Sequence, residues 1–130
     1  KPEVETMTDP RRVLELPTEM RIAGSTYEIL CFLKEDETRI SSSMMRVRAK
    51  ELEAQLDLDD AKSIWWNQED IPKALRGEIT FLFVGSLSPI NEAHVLALTW
   101  SPPDDRWKNT WLEFYSSWDD DYRFLRPKET

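Results

Sequence analysis

The stretch from Ala97 to Leu125, ALTWSPPDDRWKNTWLEFYSSWDDDYRFL, constrains the fold more than any other part of the chain. It gathers Trp100, Trp107, Trp111, Phe114, Tyr115, Trp118, Tyr122 and Phe124 into one short segment. Aromatic side chains bury large areas, so this segment is expected to supply much of the core. Two acidic turns punctuate it, Asp104-Asp105 and Asp119-Asp120-Asp121, each followed by an arginine.

Two periodicities compete between Trp107 and Trp118. Trp107, Trp111, Phe114 and Trp118 recur at spacings of 4, 3 and 4, which is a helical stripe. The residue types, rich in Trp, Phe, Tyr and Thr, lean to strand. Asp119 to Asp121 would also place acids at the partly negative C-terminal end of a helix. Strand is the expected state. It puts Trp111, Glu113 and Tyr115 on one, outer face and turns Leu112, Phe114 and Trp118 toward the helices.

Residues 1–18, with Pro2, Pro10 and Pro17, read as an extended N-terminal arm, and residues 19–130 as a single domain. Met20 to Leu33 reads as a hairpin turning at Gly24-Ser25. Its second arm is apolar on both faces, which suits an interior strand. Ser41-Ser42-Ser43 offers a hydroxyl N-cap for a helix running to about Leu56, with Met45, Ala49, Leu52 and Leu56 on one face. Asp59 is positioned to cap a second helix through Ala61, Ile64, Trp65 and Gln68, and Asp70 a short third turn. Glu78 to Val84 alternates Ile79, Phe81 and Phe83 against Leu82 and Val84, a strand. Ser86 to Glu92 reads as a loop, and His94 to Trp100 and Tyr122 to Arg126 as further strands. The sum is an α+β fold ordered β-β-α-α-β-β-β-β, an antiparallel sheet of about five to six strands with helices packed on one face.

Charge and composition remove several function classes. The chain of 130 residues carries a net charge of −8. No segment is strongly basic, which disfavours nucleic acid and anionic membranes as partners. No wholly apolar run, Phe81 to Val84 included, is long enough to span a bilayer. No signal-peptide pattern opens the chain, and Lys1 in place of methionine suggests a trimmed upstream segment. Cys31 is the sole cysteine, so no internal disulfide can form; a reducing, cytoplasmic location and a buried, inert thiol are expected. Three glycines are too few for a glycine-rich phosphate cradle.

His94, the only histidine, shares a strand face with Leu96, Leu98 and Trp100 and reads as a core or edge residue. Asp119-Asp120-Asp121, with Glu113 nearby, lacks the spacing and glycine of a calcium loop and reads as a solvated turn. No catalytic residue, metal or cofactor is therefore assigned. The candidate binding residues are Trp111, Glu113 and Tyr115 on the outer sheet face, Trp66 as a partly exposed helix aromatic, and Arg46 and Arg48. The two arginines lie near a helix N-terminus, where they would help hold an anion or a partner's carboxylate. The expected function is a non-enzymatic soluble interaction domain that docks a protein partner, or a second copy, through its aromatic sheet face. Two alternatives are an acidic inhibitor or immunity-type protein covering a basic partner, and a carboxylate-based hydrolase or carbohydrate-binding module.

Overall fold

A computed structural model describes residues 16–87, 94–113 and 117–128. β1 (Glu19–Ile22) and β2 (Ser25–Leu30) form the expected hairpin. Ile22 pairs with Ser25, so the turn is Ala23-Gly24, one residue earlier than its composition suggested. Both turn residues have positive φ, +51° and +88°, the mirror-image geometry whose twist matches the flanking strands. Alternation decides the register: Met20 and Ile22 are buried while Glu19 and Arg21 are exposed, and a one-residue slip would invert them. The Asp70 carboxylate accepts the Ala23 N–H at 2.9 Å, so it holds this turn and caps no helix. Most of the expected N-terminal arm, residues 1–15, lies outside the described residues. Leu16 packs on the core, and the Thr18 carbonyl accepts the Ile29 N–H at 2.8 Å.

Beyond β2 the chain leaves the sheet. Cys31 is exposed, contrary to the expectation of a buried thiol. Phe32 is buried, and its carbonyl is taken by the Arg48 guanidinium at 2.7 Å and not by a neighbouring strand. β3 (Arg39–Ile40) leads into α1 (Ser42–Glu51), where the Ser41 hydroxyl accepts the Met44 N–H at 3.2 Å as the N-cap. The helix stops well short of Leu56. Glu53 turns left-handed at φ +56°, and the Ala54 and Glu53 N–H groups return to the carbonyls of Ala49 (2.8 Å) and Lys50 (3.1 Å). That reversal satisfies the last carbonyls of α1. α2 (Leu58–Trp66) is capped by Asp57 rather than Asp59. Asp57 Oδ1 accepts the Asp60 N–H at 3.1 Å while Asp60 Oδ2 accepts the Asp57 N–H at 3.2 Å, a reciprocal box that fixes the helix start.

Among the described residues the main sheet has six strands, with β1 at one edge and β2 beside it. β4 (Thr80–Leu87), β5 (His94–Ser101) and β6 (Arg106–Glu113) form an antiparallel meander. β8 (Tyr122–Pro127) slots between β2 and β4 and runs parallel to β4, the one parallel pair in an otherwise antiparallel sheet. Trp107 through Glu113 is strand, as expected: each residue faces one of β5, from Trp107 opposite Trp100 to Glu113 opposite His94. Ser86 and Leu87 belong to β4 rather than to the expected loop, whose remainder lies outside the described residues. β7 (Trp118–Asp119) pairs with β3 in a small second sheet. Trp118 is fully buried there, donates its indole N–H to the Ser42 hydroxyl at 2.8 Å, and meets Tyr122 edge-on at 4.9 Å.

The helices divide between the two faces of the sheet instead of sharing one. Met45 and Ala49 of α1 pack with Leu82, Val84, Val95, Ala97, Phe124 and Trp118. Ala61 and Ile64 of α2 pack with Phe81, Phe83, Leu96, Leu98, Trp107 and Leu125. The cause lies in the strands: β4, β5 and β8 are apolar at both parities, and a sheet apolar on both sides needs cover on both. The α1–α2 linker crosses β4 so closely that a Cβ on Gly85 would lie 2.2 Å from the Gln55 carbonyl oxygen. Among the described residues, no helix is long and apolar enough to cross a membrane.

Candidate functional site

Among the described residues β6 is the last strand of the sheet, and its outer edge meets α2. Trp65 and Trp66 close that helix. Successive helical residues diverge by about 100°, so only one of the pair can point inward. Trp65 does: its indole N–H donates to the Trp107 carbonyl at 2.9 Å. Trp66 points outward and is 77% exposed, the most open large hydrophobic side chain among the described residues. Gln68, in the 3-10 turn Gln68–Asp70, completes the contact. Its Oε1 accepts the Trp107 N–H at 2.7 Å and its Nε2 donates to the Trp107 carbonyl at 3.3 Å. A side-chain amide thus stands where a neighbouring strand would be.

Backbone groups alternate in direction along a strand. With the N–H and C=O of Trp107 facing outward, those of Asn109, Trp111 and Glu113 face outward too. Among the described residues no backbone group pairs with them on that side.

Beside this edge lies a cleft of about 860 Å³, lined by Lys62, Ser63, Trp65, Trp66, Asn67, Arg106, Lys108 and Asn109. That volume is in the range of ligand sites. Its charged members are all cations, although the chain as a whole is at −8. The Arg106 guanidinium lies 5.1 Å from the centre of the Trp65 ring, a cation–π stack that stiffens the wall. Lys108 bridges to Asp104 four residues back; this contact, with a hydrogen bond from Ser101, holds the Asp104 carboxyl below its ordinary range. The Asn109 Oδ1 is buried without a partner among the described residues. A smaller cleft shares Trp65, Trp66 and Arg106 but is lined by Glu69, Asp104 and Asp105, so the tryptophan pair serves a basic and an acidic recess.

The residues singled out from sequence scatter. Trp111 is 37% exposed and lies opposite Leu96, on the face of β6 that α2 partly covers. The expected helix-free outer face does not exist, because α2 packs on that side of the sheet. Glu113 is exposed on the same side, and Tyr115 lies outside the described residues. Trp66 is exposed, as expected. Arg46 is exposed on α1, on the other side of the sheet. Arg48 is a correction: it is 7% exposed and grips Glu37 with two hydrogen bonds, at 2.8 and 2.9 Å. A guanidinium engaged in that way cannot meet an outside anion. The same pairing, helped by the Lys34 N–H, holds the Glu37 carboxyl down at about 2.

Asp119, Asp120 and Asp121 do converge, with carboxylate oxygens within 4.8 Å. The turn itself accounts for this: Asp119 Oδ1 accepts the Asp121 N–H at 3.0 Å, and Arg123 donates to the Asp120 carbonyl. Sequence reasoning missed Lys62, Arg106, Lys108 and Asn109. A partial signal was present, since Lys62 sits one helical turn before Trp66 and Arg106 and Lys108 flank Trp107. No protein-family model, curated protein or solved structure matches the chain.

Proposed function

We propose that this chain is a non-enzymatic binding domain that docks a protein partner along the α2–β6 cleft and the strand edge that continues from it, with Trp66 on the cleft and Trp111 farther along β6 as anchors. One observation carries the reading: Trp66 stands 77% exposed at the rim of a large cleft beside an open strand edge. Covering about 150 Å² of such a ring is worth roughly 4 kcal/mol at about 25 cal/mol per Å², before the costs of association. Tryptophan and arginine are the residue types that most often dominate binding energy at interfaces. The polar lining residues, Ser63, Asn67 and Asn109, offer hydrogen bonds without a general base beside them.

Selection of displayed random peptides on the intact protein tests this reading. The expected result is enriched peptides whose affinity falls at least about tenfold with Trp66→Ala and with Trp111→Ala. Peptides indifferent to both changes, or no enrichment, would remove it. So would a glycan that shifts the melting temperature in a Trp66-dependent way, which would favour a sugar-binding module.

A further inference from the structure

We propose that the partner's docking segment is an acidic, extended peptide that joins β6 as an additional strand. The inference rests on the cleft being the docking site, and it adds the conformation and charge of what docks there. Conformation follows from the edge. Gln68 and Trp65 already satisfy the outward backbone groups of Trp107, and beyond it those of Asn109, Trp111 and Glu113 have no backbone partner among the described residues. An edge of that kind is a template for a pairing strand, and main-chain hydrogen bonds then supply affinity independent of sequence. The span from Asn109 to Glu113 is about 13 Å at roughly 3.3 Å per residue, room for about five residues of an added strand.

Charge follows from the lining. Lys62, Arg106 and Lys108 converge on the cleft, and among the described residues no carboxylate lines it. Asp104 pairs with Lys108, and with Glu69 and Asp105 it lines the smaller cleft. Glu113 stands at the far end of the edge. The incoming acids therefore sit toward Arg106, and apolar side chains of the added strand sit against Trp66 and Trp111. The overall negative charge slows encounter with an acidic partner, whereas the local cations hold it once seated. Binding is accordingly weak at long range and specific at contact.

The test titrates the full chain with blocked hexapeptides, read by calorimetry and tryptophan fluorescence. The probes are (Glu-Val)3, (Lys-Val)3, and (Glu-Val)3 carrying N-methyl groups on alternate residues. The expected result is binding of (Glu-Val)3, at least about tenfold weaker binding of the other two, and a further loss of about tenfold with Lys62→Glu/Arg106→Glu. Glu113→Gln tightens binding. Equal affinity for all three probes, or no binding of (Glu-Val)3, overturns the proposal. If (Glu-Val)3 fails while Trp66-dependent peptides of other character emerge from the library selection, the acidic strand falls and the docking cleft stands. If neither binds, both fall. Two other occupants would also overturn it. Tighter (Glu-Val)3 binding after Glu3→Lys/Glu5→Lys/Asp9→Lys would mark the chain's own arm as the competitor. A dimer in sedimentation that Trp111→Arg dissociates would mark a second copy.

Discussion

Gln68 holds both backbone groups of Trp107 with a single amide, accepting the N–H at 2.7 Å and donating to the carbonyl at 3.3 Å. The two residues lie 39 positions apart in sequence. Through them the end of α2 is tied to the edge strand, and the open part of that edge begins where the amide's reach ends.

Gln68→Ala leaves the Trp107 N–H without its acceptor in a partly buried setting. The expected cost is about 1–3 kcal/mol, the usual range for an orphaned backbone donor. Gln68→Glu keeps the acceptor but loses both Nε2 donations, to the Trp107 carbonyl at 3.3 Å and the Trp65 carbonyl at 3.1 Å, and sets a carboxylate oxygen against them, so it should cost at least as much. Urea midpoints of the two variants, compared at neutral pH, check the order.

Ala23 sits at φ +51° in the β1–β2 turn, where an L side chain other than Asn or Asp is disfavoured. Ala23→Asn relieves that without disturbing the Asp70 hydrogen bond to its N–H. A gain of about 0.5–1 kcal/mol is expected. An unchanged or lowered melting temperature would show that the turn is not strained.

Of the three glycines, Gly85 leaves the least room for a methyl. The Cβ of Gly85→Ala would lie 2.2 Å from the Gln55 oxygen and 2.7 Å from the Leu56 oxygen, both backbone atoms with no rotamer to yield. The Gly85 N–H bond to Leu56, at 2.9 Å, is lost as the linker moves. The expected destabilisation is about 3 kcal/mol or more, at the upper end for overpacking. Thermal unfolding measures it directly.

The Arg48–Glu37 pair predicts an acid limb in stability. Glu37 is held at about 2 in the folded chain by the Arg48 guanidinium and the Lys34 N–H. An unfolded glutamate titrates near about 4.3. Its folded value is depressed, so its contribution is whole above the unfolded value and drains as pH falls from there toward about 2. Wild type should therefore exceed Glu37→Gln in stability at pH 6 by a margin that shrinks on acidification. A constant margin across that window would mean that Glu37 titrates normally.

Much of the architecture was legible because it is written in near-neighbour relations. The alternation of Ile79, Phe81 and Phe83 against Leu82 and Val84 declared β4 and its two apolar faces. Composition separated strand from helix at Trp107 to Glu113, and Ser41 announced the start of α1. Helix ends were less legible. Glu53 reverses the chain in a conformation that glycine usually takes, and Asp57 outcompeted Asp59 as a cap because Asp60 could reciprocate.

Sequence alone determined the class of fold, the supply of core residues and the exposure of one tryptophan of an adjacent pair, since each follows from period, composition or helical divergence. Tertiary structure decided the rest. It sent α1 and α2 to opposite faces, turned Arg48 inward, inserted β8 between β2 and β4, and brought Lys62 beside Arg106 and Lys108. These juxtapositions join positions far apart in the chain, and no local period encodes them. They arise because a sheet apolar on both sides must be covered on both, and among the described residues α1 covers one side and α2 the other.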